Sequence, residues 1–373
     1  MGNSSDVIST TFLRDTAHGG ASQQLFTVAG ELAAYVLAAQ TSIDLAIYDF
    51  RLSDPHVADL VVAALVNAAD RGVTVRIAYD AGKPVTASAA DFAVLGADPA
   101  PPGTAQWVSE HFGGTAVQTK AITAGGQLMH SKYVVRDAPT DAGAHPGTGA
   151  VWTGSTNFTD DAWTRQENNV LTVRDDALAT AYRTDFDQMW ASGTIAGTGK
   201  NDRGTSTLPG HGTVGWDFCP GDGKAMNQAL ADRIRAATHR LVVASMVLTS
   251  PEVLAALSDA IDRGIALTGI YDGGQMDPIV RQWKAGGHRA AVIADWLKVS
   301  ARLAHKQSVP YAPTSVHNFM HLKVLIADDE VSTGSYNFST NAEHNAENQL
   351  HLTDPDTVAG YAGFVDAIVH AYA

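Results

Sequence analysis

The chain has 373 residues, 45% hydrophobic and 17% charged, a globular balance that excludes a largely disordered or fibrous protein and leaves room for two or three folded units. Lys and Arg total 25 against 39 Asp and Glu, so the formal charge is 25 − 39 = −14, which argues against broad, salt-driven binding along a nucleic-acid backbone. The single cysteine, Cys219, excludes an intrachain disulfide and a cysteine-held zinc.

Residues 1–6 are polar and lack the basic and apolar regions of a signal peptide. The most apolar stretch, 241–248, is far shorter than the roughly 20 residues a membrane-spanning helix needs. A soluble monomer, cytoplasmic or secreted, is therefore expected, with a trimmed leader left open. Residues 42–48, a largely apolar run, predict a buried strand, and 54–70 carry helical periodicity. Arg71-Gly72 then leads into a second strand, 73–79, that ends at Asp80-Ala81-Gly82. The Gly-, Thr- and Ser-rich stretch 192–215 reads as a surface connector. After it the order replays: strand 240–248, helix 250–262 opened by Ser250 and Pro251, Arg263-Gly264, strand 265–271 and Asp272-Gly273-Gly274. Such β-α-β units predict a covered parallel sheet in each half. Helical tails are expected at 176–190 and 356–371.

The repeat spacing is nearly constant: Arg71 to Arg263 is 192 residues and His130 to His321 is 191, whereas Gly154 to Gly334 and Glu167 to Glu347 are both 180. The difference, 191 − 180 = 11, is a longer loop within 138–149 of the first copy. The fold class is thus α/β, two duplicated α-β-α sandwich halves, with the first half assigned to 1–200 and the second to 201–373.

Both copies carry His-x-Lys-x4-Asp, as His130, Lys132, Asp137 and as His321, Lys323, Asp328. Residues two apart on a strand face the same side, so each His projects with its Lys. Gly154-Ser155-Thr156-Asn157 and Gly334-Ser335-Tyr336-Asn337 follow, then Glu167-Asn168 and Glu347-Asn348. One such histidine would read as a hydrogen-bonded core residue. Two complete constellations make chemistry the better reading, because two lysines and two histidines on inward faces are expensive to desolvate without a bound anion.

The doubled motif resembles the phospholipase D superfamily, whose members pair two such motifs across a pseudo-twofold axis, over nearly the whole chain from about Leu25. The Gly-Ser-x-Asn and Glu-Asn segments are more similar to its compact bacterial phosphodiesterases than to the large eukaryotic lipases. The resemblance implies that His130 is the nucleophile and forms a covalent phosphohistidine, while His321 protonates the leaving oxygen; the reverse order stays open, because the site is symmetric. Lys132, Lys323, Asn157 and Asn337 are expected to bind the non-bridging oxygens, with Ser155 and Ser335 as further donors. Glu167 and Glu347 are expected to accept from the distal ring nitrogen of each histidine. Asp137 and Asp328, as in the family, are expected to fix local structure. Two ammonium groups and two amides take the place Mg²⁺ often fills in phosphoryl transfer, so no catalytic metal and no cofactor are expected.

The expected activity is hydrolysis of a phospholipid head-group phosphodiester, with alcohol exchange through the same intermediate. Trp296, Val309, Tyr311 and Phe319 are the candidates for an acyl-accepting mouth. The alternatives are a metal-independent nuclease or nucleotide phosphodiesterase, which the acidic charge disfavours, and a non-catalytic phosphate binder. Trp152 and Trp163 read as core, Asp80 and Asp272 as turn formers, and His145, His211 and His344 as solvated. His317 and His321 have helical zinc spacing, but their segment reads as strand, so zinc is disfavoured.

Overall fold

The computed structural model describes residues 7–82, 103–139, 143, 145–200, 202–286, 289–312 and 315–372. The polar segment 1–6 and part of the 138–149 loop fall outside the described residues. The strands, in chain order, are β1 (Ile8–Leu13), β2 (Ser42–Ile47), β3 (Phe50–Arg51), β4 (Thr74–Asp80), β5 (Gln118–Ile122), β6 (Lys132–Arg136), β7 (Ala150–Gly154), β8 (Phe158–Thr159), β9 (Asn168–Arg174), β10 (Gly204–Thr207), β11 (Thr213–Cys219), β12 (Arg240–Ser245), β13 (Ala266–Asp272), β14 (Ala304–Lys306), β15 (Lys323–Ala327), β16 (Glu330–Gly334) and β17 (Glu347–Leu352).

They form two large sheets of matching design, β1-β9-β7-β6-β2-β4-β5 and β10-β11-β17-β16-β15-β12-β13-β14. Only β2-β4-β5 and β12-β13-β14 are parallel; β6, β7 and β9, like β15, β16 and β17, run antiparallel. The sheets are therefore mixed, a correction to the expected parallel ones. The β-α-β reading captured only the crossover half of each sheet, and short hairpins such as that between β15 and β16 build the other half.

The layers follow from which face of each element is apolar. The helices Gln24–Leu37 and Pro55–Asp70 bury Val28, Leu32, Val57, Val61 and Leu65 against the outer face of the first sheet. Gly223–Ala236 and Pro251–Asp262 do the same for the second sheet with Met226, Leu230, Leu254 and Leu257. Between the sheets lies a shared core, into which the long helices Asp176–Ser192 and Pro355–Tyr372 send Tyr182, Phe186, Tyr361 and Phe364. The helix starts are written in the sequence. The Asp54 carboxylate accepts from the N–H groups of His56 and Val57, the Ser250 hydroxyl accepts from Val253, and a proline follows each cap.

The stretch expected to be a connector contains β10 and the start of β11, which pair antiparallel and close the edge of the second sheet. Its alternation of Thr and Ser with small residues is polar enough to pass for linker, yet it suits an edge strand. Trp152 and Trp163 are core, as expected. Trp296 is buried in the second half's outer core, so it is not part of a mouth, and Phe319 is buried too, whereas Val309 is 42% exposed. His145 and His344 are exposed, but His211 is partly buried and donates from Nδ1–H to Asp354 at 3.0 Å.

Asp137 and Asp328 occupy one structural role twice. Both have positive φ, 50° and 51°, and each carboxylate receives main-chain N–H groups that start a central strand. Asp137 takes those of Gln40, Thr41 and Ser42 at 2.7–3.1 Å, and Asp328 those of Thr238, His239 and Arg240 at 2.8–2.9 Å. The N–H donors hold the Asp328 carboxyl far below the usual carboxylate range. Replacing the buried Asp137 by Ala orphans three donors and places a Cβ-bearing residue without a local hydrogen bond in the left-handed region. The expected loss is about 2–4 kcal/mol of unfolding free energy, read by urea titration, with Asp137→Asn losing less.

Candidate active site

The two His-x-Lys segments meet at the centre of the molecule, each bonded to the opposite half. His130 N–H donates to Ala346 O at 2.9 Å, and His321 N–H donates to Glu167 O at 3.1 Å. Parallel bridges join Met129 to Ala346 and Glu167 to Met320. Asp80 and Asp272, expected as turn formers, anchor these segments as well: their carboxylates accept the N–H of Met129 at 2.7 Å and of Met320 at 2.8 Å.

His130, His321, Lys132 and Lys323 are all at most 2% exposed. Each lysine Nζ donates to the carbonyl of the histidine two residues before it, Lys132 to His130 O at 2.8 Å and Lys323 to His321 O at 2.7 Å. Each ring is also flanked by the Gly-Ser segment of the other half, and the main chain of Ser335 at His130 and of Ser155 at His321 favours the protonated ring. Those segments depend on their glycines. Gly154 and Gly334 have φ of 149° and 153°, and a Cβ there would lie 2.1 Å from Asn169 O and 2.3 Å from Asn348 O.

The ring partners differ between the halves. His130 Nδ1–H donates to Glu347 Oε2 at 2.8 Å, as expected of that glutamate, although the contact crosses between halves. His321 Nδ1–H donates to Asn168 Oδ1 at 2.9 Å, not to Glu167. Glu167 instead accepts from Lys306 Nζ at 2.8 Å and from the Tyr372 hydroxyl at 2.7 Å. The expectation for Glu167 is thus corrected, and the cause is a register difference of one residue. Ser155 Oγ bonds Asn168 thirteen residues on, and Ser335 Oγ bonds Glu347 twelve residues on. Asn168 is therefore the counterpart of Glu347, and Glu167 that of Ala346.

Burial, followed by the charges of Lys132 and Lys323, holds both imidazoles well below their ordinary value, and His130 adds to the effect at His321. Burial pushes the Glu347 carboxyl up to about 8 against the pull of Lys132 and Ser335. Asn157 Oδ1 and Asn337 Oδ1 are buried without a hydrogen-bond partner, so both amides have capacity unspent on the protein. Ser155 and Ser335, expected as further phosphate donors, spend their hydroxyl protons on Asn168 and Glu347 and so help hold the ring partners. A cavity of about 460 Å³ opens beside β3 and β8, lined by Arg51, Trp107, Asp160 and His317 among others, but by neither motif histidine or lysine. Among the described residues no helix is long and apolar enough to cross a membrane.

A family model described as the cardiolipin synthase, phospholipase D-like domain matches residues 32–190 and 230–368. The chain belongs to the phospholipase D superfamily. Comparison with curated proteins returns no match. Among solved structures, phosphatidylserine synthase of Haemophilus influenzae Rd KW20 is 12% identical, with a TM-score of 0.59 over 99% of this chain and 87% of that one. Polyphosphate kinase of Porphyromonas gingivalis is 14% identical, with a TM-score of 0.58 over 92% of this chain and 48% of that one. The phospholipase D family member Nuc of Salmonella typhimurium is 22% identical and covers 44% of this chain, with a TM-score of 0.31. At these identities the first two structures establish the shared fold alone, and membership in the superfamily implies chemistry on phosphodiesters.

Proposed function

We propose that this phospholipase D-like protein cleaves the head-group phosphodiester of a phospholipid through a phosphohistidine on His130, passing the phosphatidyl group to water or to an alcohol. The observation that carries the reading is the asymmetric histidine pair, one ring backed by a carboxylate and the other by an amide, buried with two lysines. Glu347 holds the Nδ1 proton of His130, which leaves the Nε2 lone pair directed away for attack on phosphorus. The Lys132 charge and the Ser335 and Asn345 hydrogen bonds favour the carboxylate against burial, and it offsets the positive charge that the ring acquires when the P–N bond forms. The negative charge of the bound phosphodiester favours protonation of His321 at Nε2 against the two lysines, and as the P–O bond to the head group breaks the ring donates that proton to the departing oxygen. Asn168 fixes that ring without adding negative charge, so a protonated His321 is the stronger acid of the two. In the second step His321 takes the proton of water or alcohol, whose oxygen attacks phosphorus and breaks the P–N bond. Lys132, Lys323, Asn157 and Asn337 hold the non-bridging oxygens throughout.

The acidic balance of −14 favours a lipid phosphodiester over duplex nucleic acid, and the family description points to lipid chemistry. The test is release of phosphatidic acid, or formation of a phosphatidyl alcohol when glycerol or ethanol is added, from mixed micelles of several phospholipids. Product from at least one lipid is expected. None from any lipid, together with digestion of DNA, would move the substrate to nucleic acid. Because the charge-neutralising groups are the chain's own lysines and amides, turnover is expected to persist within about twofold in excess EDTA.

A further inference from the structure

Resting on the proposed role of His321 as proton donor, we infer that Lys306 is a positioning residue for that histidine. Lys306 is 2% exposed and lies on the edge strand β14, 15 residues before His321. Its Nζ donates to Glu167 Oε2 at 2.8 Å, to Asp15 Oδ2 at 3.3 Å and to Arg165 O at 3.2 Å. The Tyr372 hydroxyl and the Asp15 N–H complete the shell of Glu167, at 2.7 and 3.3 Å from Oε1. Arg165 and His18 bind the Asp15 carboxylate, each at 3.2 Å. What this cluster grips is the backbone of Glu167, whose carbonyl accepts from His321 N–H at 3.1 Å and whose N–H donates to Phe319 O at 3.3 Å. From the other side Lys306 pairs in register with Asp272, the residue whose carboxylate holds Met320 N–H. The segment that carries His321 is thus fastened on one flank through the Lys306 ammonium group and on the other by Asp272, the strand partner of Lys306.

The segment that carries His130 is held at the equivalent place without ions. There the counterpart of Glu167 is Ala346, and Ile122 pairs with Asp80 as Lys306 pairs with Asp272; both are buried in the apolar core between the sheets. An apolar solution therefore suffices for folding at this place. Buried ion pairs seldom improve on well-packed apolar groups for stability, but they define geometry narrowly. The histidine whose segment the ionic cluster holds is also the one with only a neutral amide to orient it.

A leaving-group comparison separates positioning of the proton donor from general structural support. An alkyl head group needs a proton to depart, whereas p-nitrophenolate does not. In Lys306→Met, the single-turnover rate of head-group release from a phospholipid with an alkyl head group is expected to fall about tenfold or more, and the burst rate of nitrophenolate release from a p-nitrophenyl phosphodiester by less than about threefold, with both half-saturating concentrations unchanged. Lys306→Arg is expected to recover most of the loss. Tyr372→Phe, which deletes one hydroxyl, should show the same selectivity at about threefold and guards against a Met variant that fails to fold. Equal losses on both substrates, no loss on either, or no recovery with Arg overturns the inference. His321→Asn is run in parallel. If its first-step rates fall equally on both substrates, the assignment of His321 as proton donor falls first, and the inference falls with it.

Discussion

His130→Ala is expected to abolish turnover of every phosphodiester, on the order of 10⁴-fold or more, while His321→Ala keeps one half-reaction. With the nucleophile gone, no covalent intermediate can form and neither product appears. With only the proton donor gone, a p-nitrophenyl ester can still transfer its phosphoryl group to His130, because its leaving group departs as a stable anion. The second step then stalls, since no base activates water. A single burst of nitrophenolate, near one per protein molecule, is the expected signature of His321→Ala, with radiolabelled phosphate retained on the protein after quenching in alkaline detergent. His130→Ala should show neither burst nor label. The reverse pattern would exchange the two roles and would mean that an amide partner, Asn168, supports the nucleophile better than the carboxylate of Glu347 does.

How far the sequence discloses this site depends on the range of the forces involved. The pairing of the histidines and lysines was legible because a duplicated motif repeats polar residues where burial should forbid them. Asn168 was hidden by the shared dipeptide Glu-Asn, which invites an alignment that matches Glu167 with Glu347. The strand pattern contains the right register: Leu171 and Val173 of β9 enter the central core as Leu350 and Leu352 of β17 do, and Asp175 caps its helix as Asp354 does. All of these lie 179 residues apart, so apolar alternation was the better guide than identity of polar letters. The Lys306 cluster left no such signal. Its partners Asp15 and Glu167 are 291 and 139 residues away, and only the packing of the two sheets brings them together. β1 was missed for a related reason, since Ser9, Thr10 and Thr11 dilute its apolar residues, and its place is fixed by pairing with β9.

Lys132→Met carries the second large effect, with two separable parts. Removing one of two buried ammonium groups beside the phosphoryl oxygens should lower kcat by roughly 10²–10³, the range for deleting one preorganised charge from a site that excludes water. The other part is a displacement along the pH axis. After burial, the Lys132 charge is the leading cause that holds His130 below its ordinary value, and it acts on His321 after Lys323. Deleting it removes a repulsion felt by both imidazolium forms, so both rings bind protons more tightly and both pKa values rise. The acid limb of kcat/KM, set by loss of the proton from the nucleophile, therefore moves to higher pH. The alkaline limb, set by loss of the proton from the donor, moves the same way, and the residual activity of Lys132→Met is relatively greatest on the alkaline side. Lys323→Met should displace the bell in the same direction, with its larger effect on the limb that belongs to His321, where its charge comes first. A bell moving to lower pH in either variant would show that the lysines do not act on the rings as positive neighbours, and the electrostatic basis of the two histidine roles would fail with it.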